Sequence, residues 1–272
     1  KPVKIFVEAH AIVQQPQKLF DFIIQRCDGV VCITQSLKTA LMEKYHIPET
    51  NILVAPDGVR SKWLNNGFSK QEMRKKLNIP AYEKIVLYSG GFAPGKGVEI
   101  LIKAANEFDE NVLFYFLGGT PRTINEVKMI SCATQLRNVF FAGFVPPRDI
   151  ARYQAAADVL VLPNTADYYL KDYTSPLKLF EYMAADRAIV ASDLPVFHEV
   201  LRHNENCMMV KPGDPHALAE GIRRVLSDES LAQRISQRAR QDVRQYSWDK
   251  RAVKILKFLE GKTGWQIFPE KE

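Results

Sequence analysis

The chain has 272 residues, 46% of them apolar and 25% charged, which is enough for one large or two modest domains around a substantial core. Disorder, collagen and coiled coil are thereby excluded as whole-chain descriptions, and no apolar run approaches the roughly 20 residues that span a bilayer. The net charge of +6 suits anionic partners or is simply a mildly basic surface, and no usual RNA- or DNA-binding signature is present, so nucleic acid is not expected as a partner.

Short apolar runs alternate with amphipathic stretches from end to end. Residues 3–7 read as a strand, with His10 just beyond it. Gly29-Val30-Val31-Cys32-Ile33 reads as a buried strand, after which Ser36 is expected to cap a helix presenting Leu37, Leu41 and Tyr45 on one face. Residues 52–55 form another strand, stopped by Pro56-Asp57-Gly58. Asn65-Asn66-Gly67 signals a loop, residues 71–77 a short charged helix, and Pro80 follows. Strands are then expected at 85–88, 112–117, 139–141, 159–162, 188–191 and 207–210. Helices fall between and after them, at 98–108, 124–136, 147–156, 176–185, 196–202, 215–226, 231–245 and 248–259. The four cysteines, Cys27, Cys32, Cys132 and Cys207, show no zinc spacing and read as thiols in a reducing compartment.

Near-continuous apolar strands separated by helices mean a parallel sheet covered on both faces. The fold class is therefore α/β, with a Rossmann-like doubly wound domain over residues 85–246. Residues 1–60 carry only part of a second such domain, residues 61–84 read as the connection, and residues 247–272 as a closing helix and tail. The chain starts Lys1-Pro2-Val3 with no signal-peptide core, and an N-terminal part of the protein is expected to be missing.

In such a sheet a ligand lies at the carboxyl ends of the strands, so the loops after strands carry the chemistry. Ser89-Gly90-Gly91-Phe92-Ala93-Pro94-Gly95-Lys96-Gly97 lets backbone approach a ligand at a helix N-terminus, where Lys96 adds a positive charge. It reads as a phosphate or pyrophosphate cradle, or as a tight turn with an exposed lysine; it is neither a P-loop nor Gly-x-Gly-x-x-Gly. Gly118-Gly119-Thr120-Pro121 and Gly143-Phe144-Val145-Pro146-Pro147 lie along the same edge. Ser175-Pro176 is a strong helix start, cap then first turn, with Leu177, Phe180 and Ala184 as the expected buried face. Glu181 lies near that stripe and needs a partner, either a cation of the protein or a ligand hydroxyl.

Taken together these segments resemble glycosyltransferase family 4, also called glycosyl transferases group 1, of the GT-B fold. The matches run in order: residues 28–36, the 54–59 turn, the 88–97 loop, the 157–163 strand, the 175–184 helix start and residues 191–200. The resemblance implies a retaining, metal-independent hexosyltransferase with no cofactor. It would move sugar from a UDP- or GDP-sugar to a glycan, lipid-linked or other hydroxyl acceptor in polysaccharide or glycolipid biosynthesis. It places Lys96 on the donor diphosphate with Gly90 and Gly91, and Ser175, Pro176 and Leu177 at the helix start facing the phosphates. Gly119, Phe144 and Val145 would flank the base, Glu181 would accept from the ribose, and His10 would face the donor sugar across the cleft. The 248–259 helix resembles one that crosses back to the N-terminal domain.

Two positions depart from the family pattern. Tyr173 stands where the first Glu of the motif is expected, with Asp172 adjacent, and Gly91 stands where an Arg is usual, leaving Arg60 or Lys171 to assist Lys96. They motivate the alternative of a non-catalytic nucleotide-sugar-binding relative; an epimerase or phosphorylase of related fold is a third reading. A cytoplasmic protein touching an anionic membrane surface peripherally is the expected setting.

Overall fold

A computed structural model describes residues 3–12, 18–64, 67–80, 83–132, 136–167 and 173–264. The loop expected at Asn65 and Asn66, the Cys132 side chain, and the assisting groups Lys171 and Asp172 lie outside the described residues.

The first sheet is built from β1 (Phe6–Ala9), α1 (Lys18–Ile24), β2 (Gly29–Cys32), α2 (Gln35–Tyr45) and β3 (Ile52–Val54), with three parallel strands in the order β1-β2-β3. The first strand lies later than the sequence suggests: Phe6 pairs with Gly29 and Ala9 with Cys32, while residues 3–5 are exposed. The α2 cap is Thr34 rather than Ser36, its hydroxyl accepting the Leu37 N–H at 3.1 Å. Leu37, Leu41 and Tyr45 do face the core.

Two short helices, α3 (Ser61–Leu64) and α4 (Lys70–Lys76), lead to the second sheet. Its first half runs β4 (Lys84–Ser89), α5 (Val98–Ala105), β5 (Val112–Leu117), α6 (Pro121–Cys132), β6 (Val139–Gly143) and α7 (Pro147–Ala156). Its second half runs β7 (Val159–Leu162), α8 (Leu177–Ala184), β8 (Ala188–Ser192) and β9 (Met208–Val210). The helices α9 (Pro215–Ser227), α10 (Glu229–Asp242) and α11 (Trp248–Thr263) follow. All six strands are parallel, in the order β6-β5-β4-β7-β8-β9.

One apolar cluster fills each face of this sheet, Leu87, Leu160 and Ile189 pointing one way and Val86, Val159 and Val190 the other. That period-2 division of buried strands makes the sequence read as continuous apolar runs. The two sheets are thus Rossmann-like layers of an α/β chain.

The helix expected at 196–202 is instead a short 3-10 turn, Pro195–Glu199. The fully buried Asn206 captures the chain there: its Oδ1 accepts the Arg202 N–H at 2.6 Å and its amide donates to Val200 O at 3.1 Å, so the next helical bonds do not form. At the other end of the chain α11 returns to the first sheet. Arg251 donates to the carbonyls of Ala55 and Pro56, Lys254 to Val54 O, and the Phe258 ring packs edge-on to Phe6. None of the described helices is long and apolar enough to cross a membrane.

Candidate active site

The order β6-β5-β4-β7-β8-β9 places β4 beside β7, and chain growth reverses at that pair. Loops leaving their carboxyl ends diverge, opening the crevice where ligands bind in doubly wound sheets. The Gly90–Gly97 loop and the segment after β7 meet there, with the Thr165 amide donating to Gly95 O at 3.1 Å. Gly97 has φ +71°, and a Cβ on it would stand 1.7 Å from the Pro163 carbonyl oxygen. Only glycine allows the start of α5 to approach β7 this closely.

Lys96 is partly buried one residue before that start, and burial pushes its ammonium below the ordinary lysine value. Beside the loop stands α8. Tyr182, fully buried on that helix, accepts the Ser89 N–H at 2.8 Å and so fastens α8 to the end of β4. The helix start differs from the sequence expectation. Pro176 is the cap residue with no side-chain cap bond, and the Ser175 hydroxyl instead accepts the Asp57 N–H at 3.2 Å from the first-sheet side. Leu177 is 50% exposed rather than part of the buried face, because it opens the helix on its solvent side; Phe180 and Ala184 are buried.

Glu181 is partly buried on α8. Burial raises its pKa, opposed by a hydrogen bond from Gln154 and the charges of Arg60 and Lys178. Gln154 is itself buried and reaches the Ser89 hydroxyl at 3.4 Å, so Glu181 is tied to the strand end through one amide. Lys178 lies one turn earlier on the same helix. Its ammonium is enclosed, 3.9 Å from the centre of the Tyr88 ring, with no hydrogen-bond partner among the described residues. Burial holds its pKa well below the ordinary lysine value, the charge of Lys96 adds to that, and Glu181 works against it.

Gly90, Gly91, Gly119, Phe144 and Val145 come together around one cavity of about 260 Å³, closed by Leu117, Pro147 and Ile150. Phe144 is 79% exposed at its mouth and Val145 is buried in its wall. The Gly118 N–H donates to Gly143 O at 2.6 Å, which holds two of the three loops together.

His10 and Tyr173 sit towards the first sheet. His10 is exposed at the carboxyl end of β1, 3.0 Å from the Glu8 carboxylate, which also accepts from Arg251 at 2.7 Å. Asp57 is buried nearby; desolvation raises its pKa while the charges of His10 and Arg251 oppose the rise. Tyr173 is partly buried and packs on the apolar cluster beneath the first sheet, with Ala9, Ile33 and Leu37 among its members. A larger cleft of about 480 Å³ follows the seam between the sheets, lined by Glu199, Tyr246, Lys250, Arg251 and Lys254 and by none of the site residues the sequence resemblance implies.

The sequence reading missed Lys178, Gln154 and Asp57. Lys178 had a signal, since a lysine three residues before Glu181 lies on the same helix face. Gln154 and Asp57 had none. Among the described residues no group of three or more His, Cys, Asp or Glu is placed to hold a metal ion.

Comparison with known proteins gives concordant matches. The family model described as Glycosyl transferases group 1 matches residues 69–242. The chain is 28% identical to an uncharacterized glycosyltransferase of Methanocaldococcus jannaschii, over 84% of this chain and 59% of that protein. It is 30% identical to the phosphatidyl-myo-inositol mannosyltransferase of Mycobacterium leprae, over 66% of this chain and 47% of that protein. The chain therefore spans less than two thirds of the length of these relatives. Anabaena HepE, solved in complex with UDP, superposes with a TM-score of 0.80 at 20% identity, covering 95% of this chain and 72% of that one.

Proposed function

The chain belongs to the glycosyl transferases group 1 family, and from that premise we propose that it carries the donor-binding part of a retaining, metal-independent glycosyltransferase acting on a nucleotide-sugar. One observation carries the reading: the phosphate-type loop with Lys96, the start of α8 with Glu181, and the Phe144–Val145 cavity converge on the carboxyl edge of one sheet. The cavity suits a base, Glu181 suits a ribose diol that donates to a carboxylate, and Lys96 with the α5 amides suits a diphosphate. The relative solved with UDP supports a nucleotide of that kind.

In the reaction the bond between the anomeric carbon and the diphosphate oxygen breaks. The electron pair leaves with the diphosphate, and Lys96 stabilises the charge as it develops. The acceptor hydroxyl oxygen bonds to the anomeric carbon from the face the leaving group vacates, which retains configuration, and its proton passes to the departing phosphate. Protein cations do the work a metal would otherwise do, so chelators should leave the rate unchanged. His10 faces the sugar from the first-sheet side, and acceptor choice, onto a glycan or lipid-linked hydroxyl, belongs to the half of the protein that carries that sheet. The setting we propose is the cytoplasmic face of an anionic membrane, touched peripherally by a basic surface.

Calorimetric titration of the full chain with UDP, GDP and ADP tests the reading. One nucleotide should bind, and Lys96→Ala should weaken it roughly tenfold, the usual worth of a charge-assisted hydrogen bond. A folded chain that binds none of the three overturns it.

A second reading, a non-catalytic nucleotide-sugar-binding protein, is favoured by the packing of Tyr173 against the first-sheet cluster. There it serves the core rather than the donor sugar. An intact protein that binds donor yet never transfers or hydrolyses it would establish that reading, and a gain of activity in Tyr173→Glu would remove it.

A further inference from the structure

We propose that Lys178 is a direct ligand of the donor's diphosphate, reaching the cradle from α8 beneath the Gly90–Gly91 turn; this rests on the donor-site reading above.

The inference starts from an electrostatic imbalance. The Lys178 ammonium is enclosed, and no described residue offers it a hydrogen bond. Among the described residues it faces the Tyr88 ring at 3.9 Å, and that ring's hydroxyl donates to Gly91 O at 2.7 Å. The same ammonium lies hard against the turn: a Cβ added to Gly90 would stand 3.5 Å from Lys178 Nζ and 3.7 Å from its Cδ. Lys96 is near enough for the two lysines to oppose each other's charge.

An enclosed ammonium against a glycine turn, with a second lysine opposing its charge, is costly in the absence of an anion, and a cation–π contact offsets only part of the desolvation. Glu181, three residues along α8, attracts Lys178 but makes no ion pair with it among the described residues. The missing partner is an anion at the turn, and a diphosphate carries a negative charge on each phosphate. The loop supplies one cation of its own, Lys96, while Gly91 supplies none. Lys178 makes the second, so that each phosphate meets an ammonium.

The rescue site is also defined. Gly91 has nothing within 4 Å of an added Cβ and no left-handed φ, so a longer side chain fits there without strain. An arginine at that position would bring a second cation to the same turn.

The test titrates UDP, GDP and ADP, the corresponding nucleosides, and inorganic pyrophosphate into the wild-type chain, Lys178→Met, and the Lys178→Met/Gly91→Arg double variant. Methionine keeps the apolar stem and approximate volume, and removing a buried charge is often neutral or stabilising, so Lys178→Met should melt no lower than wild type. It should weaken the diphosphate and pyrophosphate roughly tenfold or more while leaving nucleoside affinity within about twofold. Gly91→Arg should restore much of the loss. Equal losses for nucleoside and diphosphate, or a lower melting temperature with no change in the affinity ratio, would mean that Lys178 only supports Glu181 and the helix, and the proposal falls. Unchanged affinity for pyrophosphate also overturns it. A wild-type chain that binds pyrophosphate but no nucleoside diphosphate overturns the donor-site reading and keeps the anion site at Lys178; one that binds neither overturns both.

Discussion

The Glu199 carboxylate accepts the Gln35 N–H at 2.8 Å across the seam between the two sheets, and the Ser36 N–H at 3.1 Å with its other oxygen. The two amides open α2, whose third free donor, Leu37 N–H, goes to Thr34. A carboxylate from the second-sheet side thus completes the cap of a helix that packs on the first sheet, where the helix dipole favours negative charge. Glu199→Ala should destabilise the chain by about 1–2 kcal/mol, a charged hydrogen bond discounted for partial exposure. Hydrogen exchange at Gln35 and Ser36 should quicken, while the same amides at the start of α9, capped locally by Asp214, should be unaffected. Equal protection of α2 in both proteins would show that water replaces Glu199 without loss.

Ser175 offers a second contact across that seam. Its hydroxyl accepts from Asp57 N rather than from the first turn of α8. Ser175→Ala should therefore cost about 1 kcal/mol, the net worth of one neutral hydrogen bond. Its signature should be faster exchange at the Asp57 amide with the α8 helix intact by circular dichroism. Fraying of α8 instead would mean that Ser175 is a helix cap after all.

These two contacts mark the limit of what sequence alone conveys. The strands of the second sheet are legible because each is buried on both faces, so Val159-Leu160-Val161-Leu162 carries its own message. The helix faces of α2 and α5 are legible because Leu37, Leu41 and Tyr45, or Val98, Leu101 and Ile102, repeat at helical spacing. The glycine loop and Glu181 stand out by residue type and place. Contacts such as Glu199 with Gln35, 164 residues apart, have no local signature, and neither does the buried state of the Lys178 ammonium. The 3-10 turn at Pro195–Glu199 was hidden for the same reason, since Asn206 overrides a helical pattern from beyond it.

Asp158 anchors the amino end of the second sheet, away from the site. It accepts from Lys70 at 2.8 Å, Arg74 at 2.6 Å and the Ile85 N–H at 2.7 Å. Burial resists its ionisation, but the Lys70 and Ile85 hydrogen bonds and the two cationic charges prevail and hold its pKa below the usual aspartate value. The unfolded chain therefore binds the proton more readily, and the stability Asp158 contributes is fully present above roughly pH 4. It is lost as pH falls through the depressed folded value. Asp158→Asn leaves the buried Arg74 guanidinium without its carboxylate and should cost about 3–5 kcal/mol near neutrality. Denaturant titrations of the two proteins should converge as pH drops below that window; a constant gap down to pH 2 would sink the assignment.

Glu181 should behave with the opposite sign. Burial raises its folded pKa against the pull of Gln154, Arg60 and Lys178, so the folded state holds its proton at pH values where the unfolded chain has released it. Stability due to this group accordingly falls as pH rises from roughly 4 through the raised folded value, and the full cost of the ionised form is present above that value. Glu181→Gln removes that cost while keeping the shape, so it should melt higher than wild type at pH 7, with the difference closing on acidification below pH 4. On the donor-site proposal, the same variant should bind nucleotide roughly tenfold more weakly, because the proposed ribose contact loses a charged acceptor. Higher stability paired with weaker binding is what a group placed for a ligand rather than for the fold produces. A Glu181→Gln protein that melts lower than wild type at pH 7 would instead make Glu181 a structural partner of the lysines around it.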